Sequence, residues 1–591
     1  MTELTERVTQ KHRFEISTDT TDFNTKITLH TQENDVYIYK LSFTSKCDFM
    51  PAPVTVRWTT PGLNTKGVWK PTTDFNKRIM ADWELDHMES RISVDAPVIG
   101  VFGHDDQNVF TFACSDAINT TQLNTLYREE NNLMYSHITF FPERHHLIAH
   151  YETFIRIDER AHHFSKSLKD VSTWWASFDH LKPSHTPELA KVPVYSTWYN
   201  FHQDLDTTIL LEECIKAKDI GCELIILDDG WQTNDNNRGY DYTGDWRPER
   251  IPAMADFVKE VHATGMKIAL WYSVPFCGKH SEAYKRFKGK FLTEEHRWAP
   301  VFDPRYPEVR AYLIDLYKNA LIDWNLDGFK LDFIDEFKTY KNTELTMENG
   351  RDFSSVNEAV DRLMTDVINT LQTIKPDCVI EFRQKYVGPA MRKYGNMFRA
   401  FDCPGDAVMN RIRIADLRMM SGTTATHADM FTYHPDEALE QKSLQLINSL
   451  FGVPQLSIKL FEATLEETNM LRFYTQYWNE NKRTLLEGNI TPYNPLSNYP
   501  IIKAVSSELT VIGVYDKQVV PFKEDTIKVD IINGCLNDGV VLESHEEYGD
   551  YTCLIKDVQG VTVSQSVIQI KKGLNQILVP ACGIIRLKRV K

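Results

Sequence analysis

Polar residues close a series of short apolar runs between positions 192 and 458, and their types suggest a chemistry before any fold is considered. Asp228-Asp229 precede Gly230-Trp231, Lys330 and Asp332 sit in GFKLDF, and Arg383 ends VIEFR. Asp402 and Asp406 share FRAFDCPGD, and His427 and Asp429 share THADM. Each has an ordinary structural use, because Asp-Asp-Gly suits a turn and an aspartate after a strand caps a helix. Several carboxylates gathered in one pocket repel one another, however, and that cost points to joint action. Two carboxylates can open a glycosidic bond: one attacks the anomeric carbon while the other protonates the leaving oxygen, and a retaining pair stands about 5 Å apart. Asp332 and Asp402 are the candidates for that pair. Lys330, two residues before Asp332, shares its face of the strand. There it could keep Asp332 ionised and donate to a sugar hydroxyl. Asp402 is expected to start protonated, its pKa raised by neighbouring carboxylates and partial burial, so that the two acids titrate apart. Trp198, Trp231 and Trp271 lie beside the acidic positions and could offer rings to a sugar.

Rival chemistries lack their spacing. The same segment has no HxH or HExxH, and its histidines at 202, 262, 280, 296, 427 and 434 are scattered, so a metal centre has little support. No GxSxG elbow offers a serine nucleophile, and no GxGxxG or GxxxxGK[ST] loop offers a phosphate cradle.

Converging side chains need a scaffold that ends many strands at one face. From 14 to about 157 the chain shows short alternating runs such as KITLHT, VYIYKLSF and HITFF, the pattern of an antiparallel β-sandwich. Beyond a Pro- and His-containing connection at 181–193, apolar strands alternate with amphipathic helices. Strands are expected at 192–198, 223–228, 267–271, 328–332, 379–383, 397–402, 424–427 and 454–458. Eight such strands with helical crossovers predict a closed (β/α)8 TIM barrel, whose active site lies at the carboxyl ends of the strands. Alternation returns in the last hundred residues, as in IKVDII and SVIQI. The expected layout is an N-terminal antiparallel β-sandwich at 1–185, a central (β/α)8 barrel at 186–485 and a small C-terminal antiparallel β domain at 486–591.

Length and composition agree with two or three globular domains: 591 residues, 42% hydrophobic and 25% charged. Acidic side chains number 82 against 66 basic ones, a net charge of -16 that repels nucleic acid and anionic membrane surfaces and leaves a neutral small molecule as the expected partner. The polar start MTELTERVTQ and the lack of an apolar run of about 18 residues predict a soluble, cytoplasmic protein. Ten scattered cysteines without CxxC pairs are read as mostly reduced. Broad sandwich faces leave room for a homo-oligomer.

The segments STWYNFHQDLD, GCELIILDDGW, GDWRPE, GMKIALWY and GFKLDFID together resemble glycoside hydrolase family 36, the bacterial α-galactosidases and their plant raffinose-synthase relatives. The resemblance runs over about 190–460 and implies the same three-part layout. It implies that Asp332 is the nucleophile and Asp402 the acid/base, that Asp228 and Asp229 grip the sugar's O4 and O6, and that Lys330 reaches O3 or O4. Trp198 and Trp271 would be aromatic walls, and Arg297, six residues before Asp303, matches an arginine of the family's RxQxxLD segment. Such enzymes retain configuration and need no metal or organic cofactor, so none is expected here.

The chain also departs from that pattern. The family's ExCxxGG segment after strand five becomes EFRQKYVGP, which brings Arg383 to the region where the sugar's C2 would be read. SDxTD becomes FDCPGD, with its two aspartates four positions apart instead of three; Asp402 is preferred as acid/base and Asp406 left as a supporting or sugar-binding residue. The expected activity is a retaining, exo-acting α-galactosidase. A different α-glycone such as glucose or N-acetylgalactosamine, transglycosylation, and a non-catalytic sugar-binding protein stay open beside it.

Overall fold

A computed structural model describes residues 3–8, 11–19, 22–84, 87–237, 240–523 and 527–590. The N-terminal part is two six-stranded sheets face to face, all of whose named strand pairs are antiparallel. Alternation drives it: Val36–Phe49 buries Tyr37, Tyr39, Leu41 and Phe43 and turns the residues between them outward. Burying each such large side chain contributes roughly 1.5–3 kcal/mol. A helix, Phe164–Ala176, packs against the strands Val98–Gly103 and Asn108–Cys114, with Phe164, Leu168, Val171 and Trp175 on its buried stripe and the Trp175 indole donating to the Cys114 carbonyl at 2.8 Å.

The eight expected barrel strands all form, in sequence order around one parallel sheet: Val194–Ser196, Leu224–Leu227, Lys267–Ser273, Gly328–Asp332, Val379–Arg383, Met397–Arg399, Ala425–His427 and Gln455–Leu456. The first and eighth pair directly. Between the seventh and eighth the ladder is replaced by single bonds, Ala428 N to Val453 O at 2.9 Å and Phe431 N to Gln455 O at 3.0 Å. Helix signals act where the sequence places them. Asp206 caps Thr207–Ile220 by accepting from Thr208 and Ile209, Gly221 ends it in the left-handed region, and Ser355 caps Val356–Ile374. The sixth strand is shorter than its apolar run and stops at Arg399, so Asp402 lies in the following loop and not at the strand end itself. One excursion is not evident in the sequence: a two-stranded ribbon, Phe291–Thr293 with Val301–Phe302, leaves the barrel after strand three and carries Arg297 and Trp298.

A long helix, Leu465–Leu485, closed at its start by a Thr464/Glu467 capping box, leads to a seven-stranded and a three-stranded sheet. These are not purely antiparallel as expected. Thr510–Val514 runs parallel to Lys528–Asn533, and Val519–Phe522 parallel to Val540–Ser544. The chain crosses from one sheet to the other and back at this point, so successive strands of one sheet enter from the same end, which alternation of side chains cannot reveal. The barrel's apolar core runs on without a break into both flanking parts, from Trp69 and Phe164 to Ile532 and Ile584. Among the described residues no helix is long and apolar enough to cross a membrane. All ten cysteines are free.

Candidate active site

The second strand delivers the acid pair. The Thr197 hydroxyl accepts from the Asp228 backbone N–H at 3.0 Å, and the Asp229 N–H donates to Asp228 Oδ1 at 2.9 Å. Both carboxylates are buried. Lys330 reaches across from the fourth strand and donates to Asp228 Oδ2 at 2.6 Å. Asp229 instead accepts two neutral amides, Gln203 at 2.9 Å and Gln232 at 2.6 Å. The turn depends on Gly230, whose φ of +122° and whose approach to the Gln203 backbone, 2.7 Å from where a Cβ would stand, exclude a side chain.

Burial above all pushes the Asp229 carboxyl up to about 6, against the Gln232 and Gln203 bonds and with the charge of Asp228 adding to it. A carboxyl whose folded pKa lies above its unfolded value favours the folded state at low pH, and that contribution is lost as pH rises from about 4 through 6. Asp229→Asn is therefore expected to raise stability at pH 7 by roughly 1–3 kcal/mol while weakening glycone binding. Thermal unfolding at pH 4 and pH 7 with KM in parallel checks it: a gain confined to the higher pH is expected, and a loss at both contradicts the assignment.

Asp332 ends the fourth strand, fully enclosed by donors. Oδ1 accepts from the Phe333 N–H at 2.7 Å, from Arg383 Nε at 2.9 Å and from the Tyr386 hydroxyl. Oδ2 accepts from Trp271 Nε1 at 3.0 Å. Phe333 adopts φ 63°, a left-handed conformation rare for an aromatic residue, which folds its N–H back onto the carboxylate. Burial alone would raise this acid, but Arg383 and Lys330, then Tyr386 and Trp271, hold it well below the usual carboxylate range. Asp332 is a stable anion, as expected.

Asp402 behaves differently from its expectation. Arg399 donates to its Oδ1 at 2.8 Å, and its side chain stays 39% exposed. Burial pushes its carboxyl up, yet Arg399, Arg383 and Lys330 outweigh that and hold it below its ordinary value, so the resting group is ionised and not protonated. Burial does raise two other acids around Arg399: Glu381, and Asp429, to about 6, which accepts from Arg399, from the Cys403 N–H at 2.6 Å and from the Tyr199 hydroxyl at 2.9 Å. Arg399 thus joins Asp402, Asp429 and, at 3.4 Å, Glu381.

The remaining candidates divide. Trp271 is buried at the centre and bonded to Asp332, so it is more than a wall, while Trp231 is buried behind it, donating to the Trp271 carbonyl at 3.0 Å. Trp198 begins a short helix after the first strand and packs edge-on against His202. Arg297 is exposed on the ribbon and lies over Trp298, which meets Tyr240 edge-on; Tyr240 in turn packs on Trp271 and Phe333. That places Arg297 at the outer rim. Arg383 belongs to the cluster, held among the rings of Phe333, Tyr386 and Phe401, but its Nε is directed at Asp332. Asp406 is exposed and caps the helix Ala407–Arg418 through the Met409 N–H, a structural use. His427 is buried in the barrel interior against the Ala190 carbonyl and Gln455. Tyr386, Tyr240 and Arg399 were not singled out from the sequence. Arg399 could have been, since it ends a strand two residues from the same face as Met397.

Residues 164–384 match the melibiase family model. The α-galactosidase Mel36A of Lactobacillus acidophilus is 26% identical over 201 residues, 32% of this chain and 26% of its own length. A variant of the α-galactosidase AgaA of Geobacillus stearothermophilus, bound to 1-deoxygalactonojirimycin, superposes with a TM-score of 0.65 at 14% identity, covering 100% of this chain and 88% of its own. The chain resembles glycoside hydrolase family 36. The α-galactosidase TtGalA of Thermus thermophilus, bound to p-nitrophenyl α-D-galactopyranoside, gives a TM-score of 0.54 at 14% identity over 85% of this chain and 98% of its own. The three-part fold of this chain is that of the family's solved members. In sequence the chain spans only about a quarter or less of the length of the curated relatives.

Proposed function

We propose that the chain is a retaining, exo-acting α-galactosidase. The observation that carries this reading is the ionised Asp332, held by five neighbouring groups at the end of the fourth strand, beside a buried acid pair of which one member is bonded to Lys330. Asp332 attacks the anomeric carbon, Asp402 gives its proton to the departing oxygen, and the glycosyl ester on Asp332 is then hydrolysed by a water that Asp402 deprotonates. Asp228 and Asp229 accept from hydroxyls of the glycone, Lys330 donates to one, Trp198 and Trp271 bound it, and Arg297 stands at the entrance. Support comes from the relatives named above and from AgaA variants captured with raffinose and stachyose. No metal ligation or organic cofactor enters this scheme. The division at 185 and 485 follows the same layout, and ten free cysteines fit a reducing cytoplasm.

Asp402 must take up a proton before it can act as acid. Substrate covering its exposed side adds desolvation, the influence that already raises it, against the fixed guanidinium of Arg399. Its pKa therefore rises on binding. The basic limb of kcat/KM, which reports the free enzyme, is expected at lower pH than the basic limb of kcat, which reports the complex.

Initial rates across pH on aryl α-galactoside, α-glucoside and α-N-acetylgalactosaminide test both points. Turnover of the galactoside ahead of the others, with the two limbs in that order, is expected. A second reading, the same mechanism on another α-glycone, rests on Arg383 and Tyr386 standing where the family has cysteine and glycine; turnover of another glycone alone selects it. Silence on all three contradicts the enzyme reading and favours a sugar-binding protein.

A further inference from the structure

The two oxygens of Asp332 are unequal. Oδ1 carries three donors, the Phe333 N–H, Arg383 Nε and the Tyr386 hydroxyl, which leaves it no lone pair for a substrate. Among the described residues Oδ2 accepts from Trp271 alone. Arg383 is pinned further by donating to the Gln384 carbonyl at 2.9 Å and by lying among three rings at 5.2–5.3 Å. Tyr386 is fully buried, and burial keeps its hydroxyl protonated as a donor.

When one carboxylate oxygen bonds to an anomeric carbon, the other lies close to that carbon, between the ring oxygen and the substituent on C2, and hydrogen bonds to a glycone's 2-hydroxyl strengthen in the transition state. We propose that Asp332 attacks through Oδ2 and that Arg383 and Tyr386 are positioning residues that hold Oδ1, supplying from the protein the hydrogen bonds a glycone 2-hydroxyl would otherwise give. This rests on the glycosidase reading above. In the step itself Oδ2 forms the bond to C1, the C1–O bond to the leaving group breaks, and the departing oxygen keeps the electron pair and takes the Asp402 proton. As Oδ2 becomes an ester oxygen, the negative charge shared with Oδ1 is lost, and the fixed donors orient the carbonyl that remains. A consequence for specificity follows: the site depends little on a 2-hydroxyl donor and tolerates change at that position.

The titratable groups facing Asp332 are Lys330 on its own strand, Arg383 and Tyr386 from strand five and its loop, Tyr240 from the loop after strand two, and Asp335 from the turn that follows. Removing a donor moves Asp332 up towards an ordinary carboxyl, so activity should fail at a higher pH on acidification. Tyr386→Phe, which keeps the ring packed against Phe382 at 6.2 Å, and Arg383→Lys are compared with wild type and Arg383→Met on the aryl α-glycoside wild type turns over best, and on its 2-deoxy analogue.

Tyr386→Phe is expected to lower kcat by roughly ten- to a hundredfold with KM nearly unchanged. Its acidic limb should shift to higher pH. Its preference for the parent glycoside over the 2-deoxy analogue should increase, because the freed Oδ1 can then accept from the 2-hydroxyl. Arg383→Lys should recover part of the loss seen in Arg383→Met. An active wild type whose Tyr386→Phe variant folds but keeps its acidic limb and its 2-deoxy ratio overturns this inference alone. A wild type inert on every α-glycoside overturns the reading of the site and takes this inference with it.

Discussion

Asp332→Asn is expected to abolish glycoside turnover almost completely, lowering kcat by roughly three to six orders of magnitude. The substitution keeps the shape of the side chain and an acceptor for the Phe333 N–H, but removes the charge that must bond to the anomeric carbon. It also leaves Arg383 facing a neutral amide, although the three rings around that guanidinium keep it seated. Lys330 keeps its own partner in Asp228, so the acid pair should still bind a glycone and KM should change far less than kcat. Azide is expected to restore part of the rate to Asp332→Gly, entering the vacated space and leaving as a glycosyl azide. Single-turnover rates with and without azide check both parts. An Asp332→Asn enzyme of near wild-type activity would remove Asp332 from the chemistry.

The largest effect on stability is expected far from the pocket, at Asp416. This buried carboxylate on the barrel helix Ala407–Arg418 joins all three parts of the chain. The Trp69 indole from the N-terminal sandwich donates to its Oδ1 at 2.7 Å, and so does the Tyr499 hydroxyl of the C-terminal part at 2.6 Å. Lys77, only 1% exposed, pairs with Oδ2 at 3.1 Å. Asp416→Ala leaves an ammonium and two donors buried without their acceptor, which costs about 3–5 kcal/mol. Denaturant unfolding is the measurement, and the midpoint should fall sharply while the kcat of the folded protein is unchanged. Adding Lys77→Met to Asp416→Asn should return much of the loss, because the charge left unpaired is then gone. An Asp416→Ala protein as stable as wild type would mean that this buried cluster contributes little to holding the three parts together.

The barrel was legible because each strand is a short apolar run closed by a polar residue, and all eight runs became strands. Their ends were less so. The run 397–402 stops as a strand at Arg399, and Asp402 follows in the loop that leads into Pro404-Gly405. The strand-end rule found Asp228, Asp229, Lys330, Asp332 and Arg383, which the fold brings together. It could not say what each would do electrically. Asp402 is ionised because guanidinium groups from two strands reach it, and pairing of that kind depends on distances that no linear spacing carries. Tyr386 was missed for a related reason: it lies in the segment that departs from the family pattern, where likeness gives no guide and only the fold shows the hydroxyl meeting Asp332. Asp406 shows the converse, an aspartate of the same segment whose ordinary use as a helix cap is the one observed.

In the proposed reaction Asp332 carries the sugar. Incubation with a fluorinated α-galactosyl fluoride, whose glycosyl ester forms faster than it hydrolyses, followed by intact-mass measurement and peptide mapping, tests it most directly. The account predicts one glycosyl group per chain, on the peptide containing Asp332, and none in Asp332→Asn. A label on another carboxylate, or no label from a protein that turns over the parent galactoside, would contradict it.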